Sequence, residues 1–275
     1  MAFAIANYTL HQADLKGLAG PKCDRRFLFL EGPGDYGKTW LLKWLQAEPQ
    51  PPGLLYFDLG ASHEFLSPSV ILATSVGRIG RARFPSYSHY ADLLLTRPVT
   101  ATVNDNTITG SNITVTASAR GETPAEKLYN AIQLTDRFVE DLVALSPDTP
   151  PVIFVFDGGD HAQPDQGLLL INQWLDQSLL PGLLRATCAR LIIAGRTVPD
   201  WSGKPWSATS AGIKLQGVRD ANEWIGLVKA LRKGYPPKAS GNPAQYFEIV
   251  IDALQGVPGQ IMAVVKNFPE ETVGG

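Results

Sequence analysis

Gly32-Pro-Gly-Asp-Tyr-Gly-Lys-Thr39 is the stretch of sequence that decides the fold, because it matches the pattern G-x-x-x-x-G-K-[ST]. A short apolar run, Phe27-Leu-Phe-Leu30, precedes it and is typical of a buried strand, and Trp40-Leu-Leu-Lys-Trp-Leu45 follows it as the beginning of a helix. The backbone N–H groups of such a turn point inward, and the helix N-terminus adds partial positive charge. The flanks therefore favour a phosphate-binding loop over a glycine-rich turn without a ligand.

The chemistry of this pattern assigns roles to its side chains. We expect Lys38 to reach the β- and γ-phosphates of a nucleotide and the Thr39 hydroxyl to bind Mg²⁺. Trp40 and Trp44 lie four residues apart, a spacing that favours packing over a binding platform, although Trp40 directly follows the loop. The predicted nucleotide contacts are Gly32, Pro33, Gly34, Asp35, Tyr36, Gly37, Lys38, Thr39 and Trp40.

Length and composition limit the class of protein. At 275 residues the chain is long enough for one large α/β domain, with or without a small appendage. The formal net charge of −2 gives no general attraction to nucleic acid or to anionic lipid, so neither is an expected partner. The sequence contains no apolar run of membrane-spanning length. We therefore expect a cytoplasmic protein with no membrane association.

Strand and helix patterns alternate along the chain. They predict an α/β fold of the P-loop NTPase type: a parallel β-sheet with helices on both faces, an inserted β-hairpin and a small C-terminal helical lid. The predicted units are an N-terminal lead-in at 1–25, a nucleotide-binding core at 26–218 and the helical lid segment at 219–275. The predicted strands are 26–31, 54–58, 151–156, 190–194 and 213–216, and the predicted helices are 10–18, 38–47, 67–81, 87–95, 124–145, 165–180, 220–233, 243–255 and 258–268.

Residues 97–120 differ from their surroundings. Threonine and valine alternate with polar residues there, and Asn-Asp-Asn and Gly-Ser-Asn interrupt the run. This pattern predicts a β-hairpin or small meander inserted into the α/β core. Its strand edges are suited to stacking on other copies of the chain or to docking a partner by strand addition, and a passive surface hairpin is the alternative.

A metal bound at the loop needs an acidic partner. Asp157 ends the apolar run 151–156 and is expected to hold Mg²⁺ through water, from a strand next to that of the loop. Asp160 is a candidate for orienting the water that attacks the γ-phosphate. The alternatives are an exposed loop acid for Asp157 and a turn or helix-capping residue for Asp160.

Arg196 follows another apolar strand, at 190–194. An arginine there is placed to face the γ-phosphate from the side opposite Lys38 and so to distinguish a triphosphate from a diphosphate. A surface arginine in a loop is the alternative reading.

The order of these motifs resembles the STAND class of P-loop ATPases. Asp157-Gly-Gly-Asp160 is similar to the D-G-h-D-E pattern of the NACHT branch, and Gly256-Val-Pro258 looks like the G-x-P turn of that class, whose proline contacts the adenosine. The resemblance thus implies a NACHT-like ATPase domain that binds ATP or ADP with Mg²⁺, with Pro258 as a further nucleotide contact. Full-length members continue into a winged helix and sensor repeats, so the resemblance implies a truncated form without them, either a compact minimal member or one domain of a larger design.

This resemblance implies a nucleotide-gated signalling switch. Hydrolysis is expected to be weak or slow, because His161 stands where the NACHT pattern has glutamate. The expected output is oligomerisation or recruitment of an effector or sensor protein, with bacterial defence as a setting by analogy.

Two other functions are compatible with the same loop. One is a P-loop phosphoryl-transfer enzyme, either a small-molecule kinase or a nucleic-acid motor. The other is a non-hydrolysing scaffold in which the nucleotide is structural. A convincing arginine-rich acceptor lid and a broad basic groove are both missing from the sequence, which favours the switch over the kinase and the motor.

Overall fold

A computed structural model of the chain describes residues 9–20, 23–47, 53–60, 66–95, 123–145, 150–159 and 166–270. The predicted insertion at 97–120, as well as Asp160 and His161, lies outside the described residues. Among the described residues, no helix has both the length and the apolar character needed to cross a bilayer.

The described strands form one five-stranded sheet in which every pairing is parallel. The strands are β1 Phe27–Glu31, β2 Leu54–Asp58, β3 Val152–Gly159, β4 Ala189–Gly195 and β5 Ser210–Lys214. Their order in the sheet is β2-β3-β4-β1-β5. The ends of β1, β2 and β4 were predicted to within one residue, whereas β3 continues three residues past its predicted end. β5 begins three residues earlier than predicted, because pairing with β1 recruits Ser-Ala-Gly, which has little strand propensity.

One expectation about the sheet is wrong. Asp157 lies on β3, and β4 separates β3 from β1, so the aspartate is not on a strand adjoining that of the loop. Strand order is a tertiary property that apolar runs do not encode. The helix that follows the loop packs against both β4 and β3, so it spans the distance between the loop and the strand that carries Asp157.

Helices cover the sheet between and after the strands. The predicted helix at 165–180 is divided by a π-helical turn at Leu175–Leu179, and a short helix, α9, lies in a stretch for which none was predicted. The helices are α1 Thr9–Ala19, α2 Lys38–Ala47, α3 Pro68–Ile79, α4 Pro85–Leu95, α5 Pro124–Ala144, α6 Gln166–Trp174, α7 Leu180–Leu183, α8 Ala221–Ala230, α9 Pro237–Ser240, α10 Pro243–Ala253 and α11 Pro258–Lys266.

Two hydrophobic clusters sandwich the sheet, because alternate strand residues point to opposite faces. Phe29 and Phe156 belong to the cluster that α3 to α7 cover, whereas Leu30 and Val155 belong to the cluster covered by α1, α2, α8, α10 and α11. The sheet therefore has helices on both faces. The C-terminal helices share the second cluster with α2, which brings them to the face on which the loop helix lies.

Candidate functional site

The predicted phosphate loop joins β1 to α2 through two residues with left-handed backbone. Asp35 has φ 64° and Gly37 has φ 82°. Alternation of left-handed with right-handed or extended residues is the arrangement that turns successive N–H groups toward one point, as in an anion-binding nest. The backbone N–H of Leu41 then donates to the carbonyl of Gly37 at 2.9 Å, which begins the helical hydrogen bonding of α2.

Lys38 turns back over this loop. Its Nζ donates to the carbonyl oxygens of Gly32 at 2.5 Å and Pro33 at 2.6 Å. The ammonium group is thus held beside the loop by carbonyl contacts that a bound phosphate can replace with stronger charge-assisted bonds.

The ammonium group of Lys38 interacts electrostatically with residues at the ends of two other strands. Burial lowers the pKa of the Lys38 ammonium, and the positive charge of Arg196 lowers it further. The carboxylates of Asp157 and Asp35 oppose this shift. Lys38 therefore lies within electrostatic range of both strand-end residues that the sequence proposed for the site.

Thr39 and Trp40 occupy the first turn of α2. Thr39 is half-buried, whereas Trp40 is 42% exposed. Trp44 is only 8% exposed and belongs to the core beneath the helix. Packing therefore accounts for Trp44, whereas Trp40 presents much of its ring to solvent beside the loop.

Backbone hydrogen bonds extend in a row across the carboxyl edge of the sheet. Leu215 donates to Glu31, Gly32 donates to Gly195 at 3.2 Å, and Arg196 donates to Gly159 at 3.1 Å. The last residues of β1, β4 and β3 are thereby held in fixed positions relative to one another. This row is what brings Arg196 and Asp157 to the loop despite the intervening strand.

Asp157 is a buried carboxylate, with 2% of its surface exposed. The Tyr56 hydroxyl of β2 donates to its Oδ2 at 2.6 Å. Burial raises the pKa of Tyr56, and the bond to Asp157 raises it further, so the phenol remains a donor at neutral pH. The alternative of an exposed loop acid is thus wrong for Asp157.

Two glycines shape the chain just after Asp157. Gly158 has φ 92°, and a Cβ there would lie 2.8 Å from the backbone nitrogen of Gly60. Gly159 resumes the pairing with β4 opposite Gly195, after a register shift. Only glycine fits the bulge at 158, because an L side chain would be strained and obstructed there.

Arg196 directly follows β4 and is exposed, and its backbone N–H is anchored to Gly159. The side chain therefore begins from a fixed position at the strand end and retains freedom to move. Asp160, the other predicted catalytic residue, lies beyond the described part of β3 and stays a prediction.

The C-terminal G-x-P turn meets the loop directly. Pro258 is buried at the first position of α11, and the backbone N–H of the next residue, Gly259, donates to the carbonyl of Asp35 at 2.8 Å. A Cβ on Gly259 would lie 2.8 Å from the Cβ of Asp35. The N-terminus of α11 thus rests against the apex of the loop with no room for a side chain.

A cavity of about 420 Å³ opens at the end of β5. The segment that lines it flanks Leu215, whose side chain lies next to Gly32, and includes Gly217, which packs on Gly256. No described residue of the loop or of the G-x-P turn is among those that line the cavity. Its lining is His11, Lys214, Gln216, Gly217, Val218, Arg219, Asp220 and Glu223.

The side chains present fit a magnesium ion held together with phosphate. The described residues contain no group of three or more His, Cys, Asp or Glu that would hold a metal without other ligands. Mg²⁺ ordinarily keeps several waters and uses one or two protein ligands plus phosphate oxygens. The Thr39 hydroxyl and the Asp157 carboxylate are donors of that kind, and α2, which carries Thr39, packs on β3, which carries Asp157.

Comparisons with known proteins find matches among solved structures. No protein-family model matches the chain, and no match was found among curated proteins. Among solved structures, one similar chain is a STAND protein (signal transduction ATPase with numerous domains) with a tetratricopeptide repeat sensor from Pyrococcus horikoshii. The two are 14% identical, with a TM-score of 0.43 over 90% of this chain and 28% of that one. The chain therefore spans well under a third of that protein's length.

Sequence reasoning missed Tyr56 and Gly259. Tyr56 sits in an apolar strand where a tyrosine is unremarkable, and its role depends on β2 lying beside β3. Gly259 follows Pro258 directly. A glycine in the first turn of a helix is a weak sequence signal that another backbone segment packs closely against it.

Proposed function

We propose that the chain binds ATP with Mg²⁺ and acts as a nucleotide-gated signalling switch of the STAND type, with weak or slow hydrolysis. The observation that carries the proposal is the contact between Gly259 of α11 and Asp35 of the phosphate loop. A loop that only bound phosphate would not need a second helix packed on its apex. Here a change in the conformation of the loop at Asp35 alters the surface on which the N-terminus of α11 packs.

The proposal gives each predicted site residue a role. The loop amides and the Lys38 ammonium bind the β- and γ-phosphates, after Lys38 exchanges its bonds to the loop carbonyls for bonds to phosphate. Thr39 and Asp157 hold the metal, which neutralises phosphate charge when bound. Arg196 contacts the γ-phosphate, and Asp160 orients the attacking water.

The cavity at the end of β5 is the proposed site of the nucleoside. Its volume of about 420 Å³ lies within the range of ligand pockets. Its lining residues flank Leu215, which lies against Gly32 of the loop, and include Gly217, which packs on Gly256 before Pro258. ADP and ATP then present different groups to Arg196 and α11. The difference in their affinity for the two conformations sets the largest shift in the equilibrium that nucleotide exchange can produce.

The output of the switch is a change in assembly or in effector binding. The pairing-competent pattern at 97–120 makes self-association the first form to test. The size of the protein with ADP, and then with a non-hydrolysable ATP analogue, gives a direct measurement. We expect a larger species with the analogue, and deletion of 99–118 should abolish it while nucleotide affinity is retained.

Gly259→Ala tests the coupling itself. The added methyl has to displace Asp35 or α11, so we expect weaker nucleotide binding and loss of the size difference between the ADP and analogue states, at a cost of about 1–3 kcal/mol. Gly226→Ala is the matched control, since Gly226 lies within α8 with open space around it. Nucleotide binding and size differences unchanged by Gly259→Ala would contradict the coupling.

A further inference from the structure

Tyr56 and Asp157 form a diagonal pair across two parallel strands. The register places Tyr56 opposite Val155, two residues before Asp157. Tyr56 and Val155 contact the same hydrophobic cluster, and strand alternation puts Asp157 on this face as well. A diagonal neighbour on one face is within reach of an aromatic side chain, which explains the 2.6 Å bond between the hydroxyl and Oδ2.

This face of the sheet is the one on which α2 lies. Leu41, Leu42 and Leu45 of α2 belong to the same cluster as Tyr56, and α2 packs against β3. Asp157 therefore projects toward the helix whose first turn carries Thr39. The tyrosine approaches from the opposite side, because β2 and β1 lie on opposite sides of β3 in the sheet.

The bond limits what the carboxylate can do. A buried carboxylate that rotates freely presents either oxygen, or both, to a metal-bound water. With Oδ2 engaged by a phenol, the orientation of the group is fixed and Oδ1 is left for the water. Among the described residues, Tyr56 is the hydrogen-bond donor that the structure gives to the Asp157 carboxylate. The backbone after Asp157 is constrained sterically, because Gly60 packs against Gly158 and Gly195 packs against Gly159.

We infer that Tyr56 is a positioning residue, which holds the Asp157 carboxylate so that Oδ1 receives the water shell of nucleotide-bound Mg²⁺. This inference rests on the proposed function and adds a residue to its site. Loss of the hydroxyl should leave the phosphate loop unchanged, because Tyr56 lies on β2, which β3 and β4 separate from β1 and its loop. The consequence is confined to the magnesium-dependent part of nucleotide affinity.

The experiment separates metal from phosphate. The dissociation constant of a fluorescent, non-hydrolysable ATP analogue is measured with Mg²⁺ and with EDTA for the full chain and for Tyr56→Phe. We expect the gain in affinity from Mg²⁺ to shrink about tenfold in the variant, the size expected for a lost hydrogen bond to a charged group, while the EDTA value stays the same. The Mg²⁺ concentration at half-saturation should rise by a similar factor.

A double-mutant cycle tests whether Tyr56 acts through Asp157. Asp157→Asn alone should also reduce the gain from Mg²⁺, and adding Tyr56→Phe to it should have little further effect, because the two residues share one interaction. Additive effects would overturn the inference. Tyr235→Phe is the control, since its hydroxyl is buried without a hydrogen-bond partner among the described residues, and the gain from Mg²⁺ should stay at the wild-type value.

The outcomes distinguish this inference from the function on which it rests. Binding of the analogue by the unaltered chain, with an equal gain from Mg²⁺ in Tyr56→Phe, overturns the positioning role alone. An equal loss with Mg²⁺ and with EDTA, in a variant whose thermal unfolding is unchanged, also overturns it, because a general structural role then accounts for the loss. Failure of the unaltered chain to bind the analogue in either condition overturns both proposals.

Discussion

The ends of β1 and β3 both contribute to the candidate site, but they are built differently. At the end of β1, eight consecutive residues form the loop, and Lys38 bonds to Gly32 and Pro33 within it. At the end of β3, Asp157 depends on Tyr56 from β2 and on a bulge packed against Gly60. The first end is a local structure and the second is assembled from β3, β2 and the segment that follows β2, so mutations should affect them in different ways.

The largest effect is expected at the local end. Lys38→Ala removes the ammonium group while leaving the loop backbone able to form, so nucleotide affinity should fall by about 100-fold or more. Isothermal titration with ATP and Mg²⁺ measures it. Lys43→Ala, an exposed lysine further along α2, is the control and should bind as the unaltered chain does. Unchanged affinity in Lys38→Ala would refute the phosphate site.

Two glycine substitutions test the contrast directly. Gly158→Ala forces a side chain onto a residue with φ 92° and against Gly60, and should destabilise folding by about 2–4 kcal/mol. A Cβ on Gly34 meets nothing within 4 Å, so Gly34→Ala should change stability by no more than about 0.5 kcal/mol. Urea unfolding compares the two. Equal stabilities would show that the β3 end is no more constrained than the loop.

Arg196→Ala tests whether the strand between the two ends contributes to the site. Arg196 lies close enough to Lys38 to lower its pKa, yet it is exposed. We expect the preference for an ATP analogue over ADP to fall about tenfold, because only the triphosphate offers the charge that arginine binds. Competition titrations give the ratio. An equal loss for both nucleotides would assign Arg196 to general charge attraction instead.

The smallest effect is expected in the cavity at the end of β5. Burial raises the pKa of Glu223 above its usual 4.5, and Asp220 raises it further. The folded state therefore binds this proton more tightly than the unfolded state, so stability falls as pH rises through the interval between the usual and the raised pKa. Glu223→Gln should lack that decrease. Urea unfolding from pH 4 to 7 measures the free energy of unfolding of both proteins. Identical pH profiles for the unaltered chain and Glu223→Gln would rule out a contribution from Glu223.

How much was predictable differs between the two ends. Local signals gave the glycine turn and the boundaries of α2, and the structure confirms those boundaries. The capping box of Thr123 and Glu126 at the start of α5 is a local structure of the same kind. Each depends on residues within one turn of another. The position of β4 between β1 and β3 was not predictable, because a buried apolar strand reads the same wherever it lies in a parallel sheet.

The sequence by itself determined that a strand, a glycine turn and a helix follow one another with a lysine and a threonine at the helix start, because backbone geometry and nearby side chains settle such structures. Only the tertiary structure decided which groups meet that turn. Tyr56 reaches Asp157, and Gly259 reaches Asp35, across about 100 and more than 200 residues of chain respectively. Strand register and helix packing bring these residues together, and contacts at such separation leave no local pattern in the sequence.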